Sequence, residues 1–297
     1  PCIDDVHSRK VWSLSTGKLL DECIVDDVAD AKLHRELKEP DDIRVELTLK
    51  NAVALYERKG PDIVEIYSQP RVCQEVDGRY FGGQKLRPGF SLDLTMRDPK
   101  TGLPWDLSNP RVQDRVRSLV RTTEPYCIIG SPPCTPFSPL QGLNNYRRDP
   151  KIVAREVQAG ERHIRFCLEL YAMQLSAHRH FVHEHPERSR AWKMKEVMEF
   201  LTRPEVDSVV MHMCAFGMTS EDQIGRASVL KPTRIMNSSE EVLKRVARRC
   251  ANETEVTKHR HVHLIQGRAK KAQVYPRKFA LALCQGIAAQ KKLDELG

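Results

Sequence analysis

The sequence predicts an α/β fold built on a doubly wound, mostly parallel sheet of Rossmann-like type, and three observations predict it. Short apolar runs bounded by turn residues recur at Asp62–Ser68, Phe90–Leu94, Tyr126–Ile129 and His180–His183, as strands buried in a parallel sheet require. Between them, Arg111–Val120 and Lys151–His178 repeat apolar residues at helical spacing. With 297 residues, the chain is long enough to bury one large core and carry a smaller appendage.

Taken in order, residues 1–59 carry no catalytic pattern and are expected as a helical N-terminal lead-in. Asp26–Leu37 and Leu47–Tyr56 set Val28, Ala31 and Leu37, then Leu49, Val53 and Tyr56, on helical stripes. Gly60 and Pro61 break that pattern, and a catalytic domain is expected from 60 to 213. Its first strand is Asp62–Ser68, and its second, Phe90–Leu94, carries Asp93 near its end. A turn-rich excursion with Pro99, Gly102 and Pro104 leads to Trp105-Asp106-Leu107 and to the helix bearing Val112, Val116, Leu119 and Val120.

The next strand stops abruptly at Gly130. Ser131, Pro132 and Pro133 cannot continue a ladder or enter a helix interior, because proline lacks an N–H and biases its predecessor to extended geometry. Cys134 therefore falls on a loop at the carboxyl end of a strand, where open α/β sheets keep their ligands. The polar loop Thr135–Asp149 follows, with Arg147 and Arg148 suited to a phosphate. Beyond the long helix and the His180–His183 strand come Glu184, a helix at Trp192–Leu201 and a strand at Val206–Met213. Residues 214–272 are expected as a basic recognition region. Tyr275-Pro276 opens a last helix, with Phe279, Leu283 and Ile287 inward, so residues 273–297 return to the catalytic domain.

Charge is placed unevenly. Residues 226–278 hold 14 of the 48 Lys and Arg but only 4 of the 40 Asp and Glu, so acids outnumber bases in the rest of the chain. That is the pattern of a polyanion-binding surface on a near-neutral domain, and Lys231, Lys244, Arg245, Arg248 and Arg249 are its candidate contacts. No apolar run reaches membrane-spanning length, and no signal-peptide pattern opens the chain, so no membrane partner is expected. Nine scattered cysteines, an odd number, argue for a reducing intracellular compartment over a disulfide framework.

Pro133, Cys134, Phe137 and Ser138 resemble the Pro-Cys-x-x-Phe-Ser nucleophile loop of DNA cytosine-5 methyltransferases. A thymidylate-synthase-type loop also presents Pro-Pro-Cys, but a His is expected after the cysteine there and this chain has Thr135. The resemblance extends in family order over most of 62–213 and implies a class I methyltransferase-like domain that uses S-adenosylmethionine to methylate carbon 5 of cytosine in DNA. It implies Cys134 as nucleophile, Glu184 as the acid at ring nitrogen 3, and Arg234 near the pyrimidine O2. Glu65, Tyr67, Ser68, Asp93, Asp106 and Pro132 are implied around the cofactor, although Gln69, Pro70 and Arg71 stand where the family has glycines. At Glu184 the family's Glu-Asn-Val is Glu-His-Pro here. The implied enzyme is a monomer, nuclear if eukaryotic. RNA cytosine methylation and non-catalytic nucleic-acid binding on the same fold stay open as alternatives. The run Ser15–Asp21 resembles inter-domain segments of copia-like retrotransposon polyproteins.

Cys250, His259, His261 and His263, with Cys214 as a remote addition, raise zinc as a further candidate. The spacing matches no known finger, and alternating histidines also suit one face of an exposed strand, so a metal is not the favoured expectation.

Overall fold

The computed structural model describes residues 2–5, 10–13, 19–20, 60–139, 141, 145–250, 252, 258–265 and 267–295. The chain divides into two units, 1–59 and 60–297. In the first, β1 (Cys2–Asp5), β2 (Lys10–Ser13) and β3 (Leu19–Leu20) form an antiparallel sheet in that order. The described part of the expected helical lead-in is thus extended. Ile3, Val11 and Trp12 are strand formers, and Asp5 is the register partner of Lys10. The helices expected at 26–37 and 47–56 lie outside the described residues.

The second unit opens with β4 (Ile63–Ile66), the short helix α1 (Cys73–Val76) and a hairpin, β5 (Tyr80–Phe81) with β6 (Gln84–Lys85). Then come β7 (Pro88–Leu92), α2 (Pro110–Thr123), β8 (Cys127–Gly130), α3 (Pro150–Ser176) and β9 (His180–Pro186). Helices α2 and α3 start as their sequences dictate. Asn109 and Asp149 cap the first turns, and Pro110 and Pro150 occupy positions whose N–H needs no partner. The chain continues with α4 (Lys195–Phe200), β10 (Asp207–His212), a hairpin of β11 (Thr219–Asp222) and β12 (Gly225–Ser228), and β13 (Pro232–Asn237). It ends with α5 (Glu240–Val246), α6 (Arg268–Lys271) and α7 (Arg277–Asp294).

Six strands form one sheet in the order β10-β13-β9-β8-β4-β7. β7, β4, β8 and β9 run parallel, while β13 lies antiparallel between β9 and β10. Alternation along the strands divides the core in two. Ile63, Cys127, Ile129 and Val182 pack with Phe279, Leu283 and Ile287 of α7 and Val242 of α5. Val64, Ile66, Ile128 and Phe181 pack with Val116 and Val120 of α2 and Ile164, Leu170 and Tyr171 of α3. The sheet is therefore covered on both faces, as its apolar strands require. From β4 the chain steps to β7 on one side and then crosses to β8 on the other. This reversal makes the carboxyl ends of β4 and β8 the topological switch point.

Two expectations change. The helix expected at Trp192–Leu201 is a 3-10 turn, Arg190–Lys193, and then α4, because Met194 between them adopts an extended conformation. Part of residues 214–272, expected as a recognition region, belongs to the main sheet. Ile235 and Met236 are fully buried, and their strand β13 is an interior member of the main sheet. Among the described residues, no helix is long and apolar enough to cross a membrane.

Candidate active site

Gly130 ends β8 where nothing larger fits. A Cβ there would lie 1.9 Å from the hydroxyl of Tyr171, which is itself hydrogen-bonded to Nδ1 of His183 at 3.0 Å. The Ser131 N–H donates to the carbonyl of Ile66 at 3.0 Å, so the β4 and β8 ends stay together as the prolyl turn leaves the sheet. Cys134 then begins a 3-10 turn, Thr135–Phe137, whose Phe137 N–H donates to the Cys134 carbonyl at 3.1 Å. Phe137 is buried against α3, where a Cβ on Gly160 would come within 2.9 Å of its ring. The Arg190 guanidinium holds the next carbonyl, Pro136, at 3.1 Å. Partly buried Cys134 thus rides on a braced turn.

It faces a cleft of about 310 Å³, lined also by Pro132, Glu184, His185 and Lys231. Glu184 reaches this cleft from β9 and is 8 % exposed. The Tyr275 hydroxyl donates to its Oε2 at 3.3 Å and also bonds the Ser131 hydroxyl. The Lys231 ammonium stands 3.6 Å from Oε1 and donates to the carbonyl of Ala272 at 3.0 Å. Burial pushes the Cys134 thiol up, and the Glu184 carboxylate pushes it further the same way while Lys231 pulls it back. Burial holds His185 far below its ordinary range and therefore neutral. Both its ring nitrogens are buried without a hydrogen-bond partner among the described residues.

Further lining comes from the ends of β4 and β7, from the segment before α2 and from α3. Tyr67, Arg71, Asp93, Leu94, Trp105, Asp106 and His163 supply it. Tyr67 has φ 63, a left-handed conformation that bulky residues rarely hold, so the chain leaves β4 through a strained residue. Its hydroxyl meets Nδ1 of His163 at 3.0 Å. Asp93 and Asp106 each spend one oxygen on their own turn. Asp93 accepts from the Thr95 N–H at 2.9 Å and Asp106 from the Ser108 N–H at 3.0 Å.

Other expected site residues lie elsewhere. Glu65 is fully buried, and one of its oxygens accepts the N–H groups of Val72 and Cys73, each at 2.9 Å. Ser68 donates to the other oxygen at 3.0 Å. Both residues shape the turn behind the cleft and do not line it. Arg234 sits in the interior strand β13, paired with His185 and Val210, with its guanidinium over the Trp192 ring at 5.2 Å. The cation facing Glu184 is Lys231, which has left the sheet with φ 30. This moves Lys231 from the surface basic set into the cleft. Of the remaining cations, Arg148 pairs with Glu156, Lys244 with Glu240 and Glu241, and Arg245 with Glu241. Arg147 lies over Tyr146 and Arg248 over Phe216, at 5.0 and 5.1 Å, while Arg249 is exposed. Of these, Arg148, Lys244 and Arg245 are therefore paired with carboxylates of their own or the adjoining helix. Residues 140 and 142–144 of the expected polar loop lie outside the described residues.

Sequence spacing missed His163, Lys231 as a cleft residue, and Tyr275. Each arrives by long-range packing, and the only local signal was a polar residue on an otherwise apolar helix or strand end. In the second cluster Cys250, His259 and His261 are joined by Cys214, the remote addition expected from sequence, while His263 is not part of the set. Comparison with protein-family models and with curated proteins finds no match to this chain.

Proposed function

We propose that the protein methylates carbon 5 of cytosine in DNA through a covalent adduct with Cys134. One observation carries this: the thiol and Glu184 share a cleft at the switch point of a parallel sheet with two further carboxylates, Asp93 and Asp106, in its lining. That part of the lining suits S-adenosylmethionine in its donor chemistry. Asp93 can accept from ribose hydroxyls and Asp106 from an adenine amino group, while Leu94, Trp105 and Leu107 offer an apolar face. When bound, S-adenosylmethionine supplies an electrophilic methyl group.

The chain's own residues prepare the base. Carbon 5 of cytosine is a poor nucleophile until the ring is activated, and addition of the Cys134 sulfur at carbon 6 activates it when nitrogen 3 receives a proton. The proton balance fits the pair. Cys134 must lose one proton and nitrogen 3 must gain one, and Glu184, in the same cleft, can relay it from the first to the second. Lys231 and Tyr275 keep the carboxyl oriented. After carbon 5 has taken the methyl group, loss of its proton to a base expels the sulfur, and nitrogen 3 returns its proton to Glu184, which restores the ring. A target base inside a duplex is beyond reach of a cleft this narrow, so it must be flipped out.

Arg71, which lines the cleft and donates to the Gln273 carbonyl at 2.6 Å, favours a second possibility, a fold that has kept nucleic-acid binding without the cofactor. Transfer of labelled methyl groups from S-adenosylmethionine to DNA and RNA, assayed side by side, decides. Transfer to DNA is expected. Transfer to RNA alone would reassign the substrate, and no transfer with no cofactor binding would leave the binding protein.

A further inference from the structure

A second cysteine-centred cluster lies away from the cleft and takes no part in the proposed chemistry. Cys214 belongs to a 3-10 turn, Met213–Phe216, directly after β10. Cys250 follows α5, and its N–H donates to Nδ1 of His212 at 2.9 Å. His259 and His261 lie two residues apart on a returning stretch, as side chains on one face of an extended chain do. That stretch is fixed from both ends. Asn252 exchanges two hydrogen bonds with the His259 backbone, each of 2.7 Å. His261 forms a single parallel bridge with Ser228, and Val262 donates to the Ser228 carbonyl at 2.8 Å.

The ligand atoms of Cys214, Cys250, His259 and His261 all lie within 4.8 Å of one another. Cys250 Sγ is 3.5 Å from Nε2 of His259 and 3.4 Å from Nε2 of His261, and the two nitrogens are 2.9 Å apart. Tetrahedral zinc, with bonds of about 2.0–2.1 Å to nitrogen and about 2.3 Å to sulfur, sets its ligands about 3.3–3.8 Å apart. The three separations among Cys250, His259 and His261 fall within about half an ångström of that range, and Cys214 lies within 4.8 Å of each of them. Weak thiol–imidazole contacts and one imidazole–imidazole hydrogen bond would leave four potential metal ligands converging on one point. A single cation satisfies all four donors at once.

We propose that these four side chains bind one zinc ion as a structural Cys2His2 site. The donor set of two thiolates and two imidazoles is that of closed zinc sites, and with four protein ligands it has no open position for substrate. Burial of Cys250, 1 % exposed, keeps solvent from one side. The ion ties the end of β10, the chain after α5 and the 258–262 stretch to one point, so it organises the part of the basic region that the sheet does not reach. None of this depends on the methylation proposal, because none of the four residues lines the cleft.

The test is metal analysis of the full chain, purified without chelator. About one zinc per chain is expected. Exchange with cobalt(II) should give the visible bands of tetrahedral coordination together with thiolate-to-metal charge transfer. His261→Ala should lose the metal while His261→Cys, which replaces one zinc donor by another, keeps it, and His263→Ala should retain it fully. A chelator should lower the melting temperature of the parent protein and leave that of His261→Ala unchanged. Three outcomes would overturn the site: no metal bound even with added zinc, a Cys214–Cys250 disulfide detected by mass, or equal metal content in the parent and His261→Ala.

Discussion

Cys134 and Cys250 both sit among polar side chains, and the contrast between them separates a group placed to react from a group placed to hold. Cys134 looks into a cleft of about 310 Å³, with Glu184 and Lys231 on its walls. Around the Cys250 sulfur stand imidazole nitrogens of His261 and His259, 3.4 and 3.5 Å away. A nucleophile needs vacant space where the attacked carbon can lie, whereas a structural ligand needs that space filled. Substitution at the first should change chemistry and spare the fold. At the second the reverse should hold.

The largest effect is expected at the nucleophile. Cys134→Ser should reduce methyl transfer by at least about a thousandfold while its melting temperature stays within about 2 °C of the parent, measured by labelled transfer and by calorimetry. A large drop in melting temperature would place Cys134 with Cys250 as a structural group. Next comes Glu184→Gln. It should slow transfer about 100- to 10,000-fold with DNA affinity retained, because a neutral amide cannot pass a proton to nitrogen 3.

A finer comparison lies in the pH dependence of Cys134 alkylation. Its thiol is raised by burial and by Glu184 and lowered by Lys231, so in the parent protein the reactive thiolate appears only above the ordinary thiol range. Glu184→Gln removes a raising charge and should move the alkylation profile to lower pH. Lys231→Met removes the lowering charge and should move it to higher pH. Identical profiles in all three proteins would show that the walls do not act on the thiol. The smallest expected effect separates Glu65 from the cofactor wall. Glu65→Gln should destabilise the fold by about 1–3 kcal/mol in denaturant titration, because its carboxylate serves buried backbone N–H groups, and should leave the affinity for S-adenosylmethionine unchanged.

The parts of this site that the sequence disclosed are those whose signals are local. Cys134 follows a strand, a glycine and two prolines, and Asp93 and Asp106 sit at turns after apolar runs. In each case the neighbours that fix the position are within a few residues. Glu65 was legible as a strand residue but not in role, because its partners at 72 and 73 are reached only once the turn has folded back. Arg234 carried the expected charge at the expected place in the chain, yet β13 inserts between β9 and β10, and strand alternation directs it to Trp192. Lys231 and Tyr275 meet Glu184 through contacts between distant segments, and Cys214 meets Cys250 in the same way. No periodicity within a window could register those meetings.

The most direct test of Cys134 as the nucleophile uses DNA in which 5-fluorocytosine replaces cytosine, incubated with the protein and S-adenosylmethionine. Fluorine at carbon 5 cannot leave as a proton does, so the sulfur cannot be expelled after transfer. The result expected is a stable protein–DNA adduct whose digested peptide carries the modified base on Cys134, and no adduct with Cys134→Ser. An adduct formed equally by Cys134→Ser, or normal methylation of cytosine DNA with no trapping on the fluorinated strand, would contradict it.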